Sequence, residues 1–175
     1  MIRPATPADV PAILQLIRDL ATYEKSAHEV RADEAQLRAA LFGPEPAVFA
    51  HVAVDTLEGD TLEGDTGEAG TGEVVGFALW FLNFSTWRGT HGIYLEDLYV
   101  RPDRRGGGHG RALLAELARI CVERGYQRLE WSVLDWNEPA IGFYRAVGAA
   151  PMSEWTVFRL TDEPLLRMAE GAARR

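Results

Sequence analysis

From Val100 to Arg111 the chain reads Val-Arg-Pro-Asp-Arg-Arg-Gly-Gly-Gly-His-Gly-Arg. The apolar run Gly92–Val100 precedes it and the amphipathic run Ala112–Arg124 follows. That order predicts a strand, a glycine turn and a helix. Gly106, Gly107, Gly108 and Gly110 let backbone N–H groups crowd toward one point without interference from Cβ. A helix that starts there contributes unpaired N–H groups and the positive end of its dipole. Such a turn suits an anion, phosphate first. The P-loop pattern fails because no Gly-Lys-Ser/Thr follows. The dinucleotide pattern G-x-G-x-x-G fails as well: starting from Gly106 it meets Arg111, and from Gly108 it meets Leu113. What remains is Arg105-x-x-Gly108-x-Gly110, for which a connection without a ligand is the plain alternative.

The rest of the chain predicts a mixed sheet around this turn. Ile2–Pro4 reads as an edge strand. Thr6 is placed to cap a helix with Pro7 in its first turn, and Val10, Ile13, Leu14, Ile17 and Leu20 recur at helical spacing. Tyr23, Glu24 and Lys25 fall at its end. A second helix is expected over Asp33–Phe42, stopped by Gly43 and Pro44. Val48–Val54, Val74–Phe84 and Gly92–Val100 read as an antiparallel meander. Arg128–Leu134 is expected as a strand parallel to Gly92–Val100, because a helix connects them. Asn137 should cap a further helix reaching about Val147. Met152–Leu160 is expected as a last strand before a charged tail. A crevice is expected where the strand before the glycine turn and the strand after its helix diverge.

The net charge of −8 carries little information about partners. Asp55–Glu73 contains seven acids and no base, and within it Asp-Thr-Leu-Glu-Gly occurs twice. Setting that segment aside leaves 19 acids against 18 bases, so bulk charge supports neither nucleic acid nor a polycation as partner. The segment is too polar to bury and reads as a flexible loop inserted in a single domain of residues 1–170. Cys121 is the only cysteine, which excludes an internal disulfide and a cysteine-based zinc site. Its place on the apolar helix face argues for packing rather than nucleophilic work. His28, His51, His91 and His109 lack ligand spacing, so no metal is expected. No apolar run is long enough to span a membrane, and Met-Ile-Arg-Pro-Ala-Thr has no signal-peptide pattern, so the cytoplasm is the expected location.

Two stretches extend the pattern. Tyr94-Leu-Glu-Asp-Leu-Tyr-Val100 leads directly into the turn. Asp135-Trp-Asn-Glu-Pro-Ala-Ile-Gly-Phe-Tyr144 follows the next strand, with Arg145-Ala-Val-Gly148 behind it. Together with Arg105-x-x-Gly108-x-Gly110, these resemble the GNAT superfamily of N-acetyltransferases from near residue 2 to near residue 168. Within it they are similar to the spermidine/spermine (diamine) and thialysine N-acetyltransferases. The resemblance implies an α/β (α+β) fold: a mostly antiparallel mixed sheet, helices on both faces, and splayed central strands that bind acetyl-CoA. It implies that Leu98, Tyr99 and Val100 pair with pantetheine. Arg105, Gly106, Gly107, Gly108, His109, Gly110 and Arg111 would hold the pyrophosphate. Asn137, Glu138, Pro139 and Ala140 would flank the CoA arm. Tyr144 would lie near the sulfur and Glu96 would face the amine. Tyr23, Glu24, Glu130, Trp131 and Ser132 would surround the substrate, and the protein would be a homodimer.

Chemistry asks for these residue types independently. An alkylamine arrives protonated, with a pKa near ~10.4, and cannot attack in that form. A carboxylate such as Glu96 can hold the ammonium and accept its proton. Strand alternation places the neighbouring Asp97 on the other face. A phenol such as Tyr144 can protonate the departing thiolate, and N–H groups near Leu98 can stabilise the oxyanion. Lys25 and Arg88 bring cations to the substrate end, which favours a short diamine or an amino-acid amine over spermine. Trp87, Trp131 and Trp136 can line a pocket or simply pack. A protein or peptide N-acetyltransferase and a non-catalytic acyl-CoA-binding module remain the alternatives.

Overall fold

The computed structural model describes residues 1–55 and 72–173. The expected flexible loop lies, from residue 56 to 71, outside the described residues. The described chain falls into two compact units, Met1–Leu134 and Asp135–Arg175.

The first unit is built on one sheet of β1 (Ile2–Pro4), β2 (Phe49–Asp55), β3 (Glu73–Ser85), β4 (Thr90–Val100) and β5 (Leu129–Trp131), in the order β1-β2-β3-β4-β5. Every neighbouring pair is antiparallel except β4 and β5, which are parallel as the intervening helix requires. The meander and its helical crossover are therefore as expected. β5 pairs over three residues only, short of the expected Arg128–Leu134.

Helices cover both faces of this sheet. α1 (Val10–Tyr23) and α2 (Glu34–Phe42) supply Val10, Ile13, Leu14, Leu16, Leu37 and Leu41 to a core shared with Ala50, Val52, Val54, Phe77, Leu79 and Tyr99. Local sequence explains where these helices start. The Thr6 N–H and hydroxyl donate to Asp9 at 2.7 and 2.8 Å, and Arg3 clamps the same carboxylate at 2.7 and 2.8 Å. Burial alone would raise the Asp9 carboxyl, but those bonds from Arg3 and Thr6 outweigh it and hold it below its usual range. Asp33 and Gln36 close a reciprocal cap on α2 at 2.8 and 3.0 Å. The opposite face carries α3 (His109–Glu123), with Leu113, Leu114, Leu117, Ile120 and Cys121 buried. His51 marks that side: its ring accepts the Trp80 indole N–H at 3.2 Å and stands 3.8 Å from Glu116 of α3. Cys121 is buried there, its thiol pushed up by desolvation, as core packing predicts.

The second unit contains α4 (Glu138–Ala146) and α5 (Asp162–Ala173). The strand expected over Met152–Leu160 is not formed. Its side chains are exposed, Phe158 at 92%, and no neighbouring backbone pairs with it in the described residues. Apolar alternation alone cannot make a strand, because the backbone groups need a partner. The expected charged tail is instead mostly helix, with Pro164 confined to the first turn and Arg167 paired to Glu163 at 3.1 Å. Among the described residues no helix is long and apolar enough to cross a membrane.

Candidate active site

The glycine turn is an anion cradle in its backbone. A short 3₁₀ turn, Pro102–Arg104, leaves β4, and Gly106 and Gly108 follow at φ 85° and 82°. An added Cβ at either would meet nothing within 4 Å, so backbone conformation rather than crowding demands glycine there. Gly108 is the N-cap of α3 and offers no side-chain cap. The first intrahelical bond is Ala112 N–H to Gly108 O at 2.9 Å, so the N–H groups of His109, Gly110 and Arg111 precede the helix ladder. α3 thus begins three residues earlier than the apolar spacing suggested, because apolar periodicity does not register His-Gly-Arg.

Ionic contacts tie this turn to the ends of β2 and β3. Arg104 reaches Asp55 at 3.1 Å, Arg101 pairs with Glu73 and with Asp103, and His109 stands 4.0 Å from Asp55. Arg105 is directed elsewhere. Its Nε donates to Val100 O at 3.0 Å, and its guanidinium lies 5.3 Å from the Tyr23 ring centroid and 5.4 Å from that of Tyr99. The glycine turn is thereby joined to the end of α1 by a cation over two rings.

β4 changes character along its length. It pairs with β5 only at Ile93, Tyr94 and Leu95, and then continues alone on that side to Val100. Arg101 N–H donates to Val75 O of β3 at 2.9 Å. Alternation along an antiparallel strand then directs the backbone groups of Leu98 and Val100 to the side where β5 has ended. At the same place the β3 register slips: Trp80 faces Leu95 and Leu79 faces Asp97, leaving Glu96 as the extra residue of a bulge.

Strand alternation expects Asp97 on the face opposite Glu96. The register puts Asp97 opposite Leu79, with Tyr99 opposite Phe77, on the face that α1 covers. The end of α1 carries Tyr23 and Glu24, so two of the expected substrate residues belong with Asp97. Glu96 is exposed and Asp97 is partly buried. Desolvation, helped by the charges of Glu96 and Glu24, pushes the Asp97 carboxyl up from its ordinary 3.8 to about 6. Burial also raises Glu24. No donor hydrogen-bonds the Asp97 carboxylate among the described residues. Only the adjacent acids Glu96 and Asp97 signalled this in the sequence, and a bulge has no sequence marker here.

The expected residues Glu130 and Trp131 on β5, and Ser132 just after it, are each tied to the sheet. Glu130 accepts from Asn83 at 2.7 Å and pairs with Arg128 at 2.9 Å. Ser132 and the Tyr94 hydroxyl share a hydrogen bond of 2.8 Å. Trp131 is partly buried and ends the parallel ladder. Among the described residues no group of three His, Cys, Asp or Glu is placed to hold a metal.

In the second unit, Asn137 is buried and caps α4, its Oδ1 accepting from Ala140 N–H at 3.4 Å. Glu138, Pro139 and Ala140 form the first turn, where proline is tolerated. Tyr144 lies on α4 with its ring centroid 5.3 Å from that of Phe143.

A glycine turn at a helix start, beside a strand that loses its parallel neighbour, agrees with the family comparison. The profile described as the acetyltransferase (GNAT) family matches residues 35–149. The chain belongs to that family. It is an acetyl-CoA-dependent N-acetyltransferase, and GNAT enzymes use acetyl-CoA as co-substrate. A thialysine N-epsilon-acetyltransferase of Bos taurus is 40% identical over 172 residues, covering 97% of this chain and 96% of the relative. L-ornithine N5-acetyltransferase NATA1 of Arabidopsis thaliana is 33% identical, covering 94% and 85%. The fold resembles an integron cassette protein from the mobile metagenome of V. cholerae, with TM-score 0.74, 24% identity and 97% of each chain covered.

Proposed function

We propose that this GNAT enzyme transfers acetyl from acetyl-CoA to the primary amine of a small molecule, a diamine, polyamine or lysine-like amino acid, by direct attack within a ternary complex. The unpaired half of β4 carries the reading. Leu98 and Val100 direct backbone groups away from β3 where, among the described residues, no strand receives them; Arg105 holds the Val100 carbonyl, and an extended pantetheine arm can pair with the Leu98 groups and the Val100 N–H. The strand leads straight into the turn whose N–H groups from Gly106 to Arg111 suit a pyrophosphate. The thioester end of such an arm falls toward Glu96 and Asp97.

Substrate class rests on the relatives, two of which are named for amino acids bearing a terminal amine, thialysine and ornithine. Carboxylates at Glu24, Glu96 and Asp97 provide charge for an ammonium, while Lys25, next to Glu24, suits the carboxylate of an amino acid; Arg88 lies instead in the β3–β4 turn, where it donates to Gln127 at 3.1 Å. Glu96, exposed at the bulge, receives the incoming cation. Tyr144 is assigned to the departing sulfur, and Asn137 to Ala140 to the CoA arm, from their motif alone. The same resemblance supports a homodimer.

Thiol release measured with thialysine, ornithine, lysine, putrescine, spermidine and spermine tests the class. Turnover with the amino acids or short diamines exceeding that with spermine supports it. Acetyl-CoA binding without turnover on any amine favours a binding module instead. Intersecting double-reciprocal lines are expected for the ternary complex, and parallel lines overturn it.

A further inference from the structure

We infer that Arg105 is a positioning residue that couples the two substrate sites: by bridging the glycine turn to the last turn of α1, it makes occupancy of the glycine turn tighten the binding of the amine. This rests on the amine-acetylation reading above.

Arg101, Arg104 and Arg105 leave the turn in two directions. Arg101 and Arg104 pair with Glu73 and Asp55 at the ends of β3 and β2. Arg105 is turned the other way, toward α1. Its Nε donates to Val100 O at 3.0 Å, and its guanidinium lies 5.3 Å from the Tyr23 ring centroid and 5.4 Å from that of Tyr99. One side chain thus joins the turn, β4 and α1. The next residue, Gly106, has φ 85°, so the Arg105 backbone leads directly into the N–H groups assigned to the pyrophosphate.

The α1 end of this bridge is rigid. Lys25 has φ 61°, its N–H donates to Thr22 O at 3.1 Å, and Ser26 N–H donates to Ala21 O at 2.8 Å. These two bonds close α1 with a left-handed cap. Tyr23, Glu24 and Lys25 are therefore held in one turn, and a contact that fixes the Tyr23 ring also fixes where Glu24 and Lys25 stand. Glu24 belongs to the amine side, since its charge reaches Asp97.

The Arg105 end is loose. Arg105 is exposed, and an exposed cation over a ring is held weakly. Its long side chain has many rotamers to lose. The bridge is therefore only partly formed until a ligand orders one of its ends. Phosphate held by the turn fixes the Arg105 backbone and lowers the entropy lost when the guanidinium docks. The docked guanidinium then sets the end of α1 for the amine. Linkage makes the effect mutual, so a bound amine tightens the ligand of the turn by the same factor.

The test separates this coupling from contact between the two ligands. Its probe is adenosine 3′-phosphate 5′-diphosphate, the nucleotide end of CoA, which carries the pyrophosphate but has neither the pantetheine arm nor an acetyl group to meet the amine. Calorimetry on the full chain follows the binding of lysine and of putrescine, with and without saturating nucleotide, for wild type, Arg105→Ala and Arg105→Lys. Wild type should bind the amine roughly 5-fold or more tightly when the nucleotide is present. Arg105→Ala should bind it equally in both conditions. Arg105→Lys keeps a cation for the rings and should recover part of the difference. In turnover at saturating acetyl-CoA, the loss in Arg105→Ala should fall on the amine KM more than on kcat. A wild-type ratio in Arg105→Ala overturns the inference. So does loss of nucleotide binding in that variant, which would make the side chain a phosphate ligand. Wild type that binds amine equally with and without nucleotide overturns it without any variant. If wild type acetylates amines and only the coupling fails, the inference alone is lost. If it acetylates none, the amine reading is lost and this inference with it.

Discussion

The two halves of β4 share one backbone and differ in almost everything else. Thr90–Leu95 is paired with β3 on one side and, from Ile93, with β5 on the other, and it buries Ile93 and Leu95 almost completely. Glu96–Val100 is paired on one side only and begins with two acids, one exposed and one partly buried. The first half holds the sheet together. The second has the open edge and the perturbed carboxylate that chemistry can use. A one-residue bulge separates them, and it sits where the parallel ladder ends.

The comparison is broken most severely from the packed side. Leu95→Ala removes a side chain that is 1% exposed and should cost about 2–5 kcal/mol of stability. Chemical denaturation measures the loss. Acetyl-CoA affinity per folded molecule should be unchanged at low temperature, and a large fall there would mean that the two halves are not separable.

Asp97→Asn should do the opposite. Folding raises the Asp97 carboxyl from 3.8 to about 6, so the folded state holds this proton more tightly than the unfolded chain. Stability from this group is therefore full below about pH 4 and is lost as pH rises through about 6. Asp97→Asn should stabilise the protein by at most about 3 kcal/mol at neutral pH, from roughly two pK units, and by nothing near pH 4. Melting temperatures of both proteins across that range decide it, and a constant offset would mean that Asp97 is not the titrating group.

Gly108→Val tests the end of the open half. A β-branched residue at φ 82° costs on the order of 1–3 kcal/mol locally and misdirects the N–H groups of the turn. Calorimetry should show weaker acetyl-CoA binding with the fold retained, and unchanged affinity would remove the pyrophosphate assignment. The smallest effect is expected at Cys121→Ala. Only a sulfur is lost from a buried face, so stability should fall by about 1 kcal/mol and turnover should stay near wild type. Acetylated protein trapped from acetyl-CoA without amine would contradict direct attack.

Much of this architecture was legible in the chain. Thr6, Asp33, Asn137 and the glycines at 106 and 108 act within a few residues of themselves, and each marks an element boundary where the structure places one. The meander followed from apolar runs, and the parallel partner from the helix between strands. Less of the packing around the site could be read. Glu130 pairs with Arg128, two residues before it, and accepts from Asn83, 47 residues away, a partner only the fold supplies. The Arg105 side chain lies over Tyr23 and Tyr99, contacts that no local pattern in the chain marks. Trp155, Val157 and Phe158 looked like a strand, yet they are exposed and unpaired in the described structure.

By itself the sequence determined the glycine turn, the caps and the order of strands and helices as far as α4. Those depend on φ preferences, on hydrogen bonds between near neighbours and on hydrophobic period, all of which are local. Only the tertiary structure decided where β5 stops, which residue of β4 is extra and which of two adjacent acids turns toward α1. Those depend on strand register, and register is set by the partner strands rather than by the residues it re-aims.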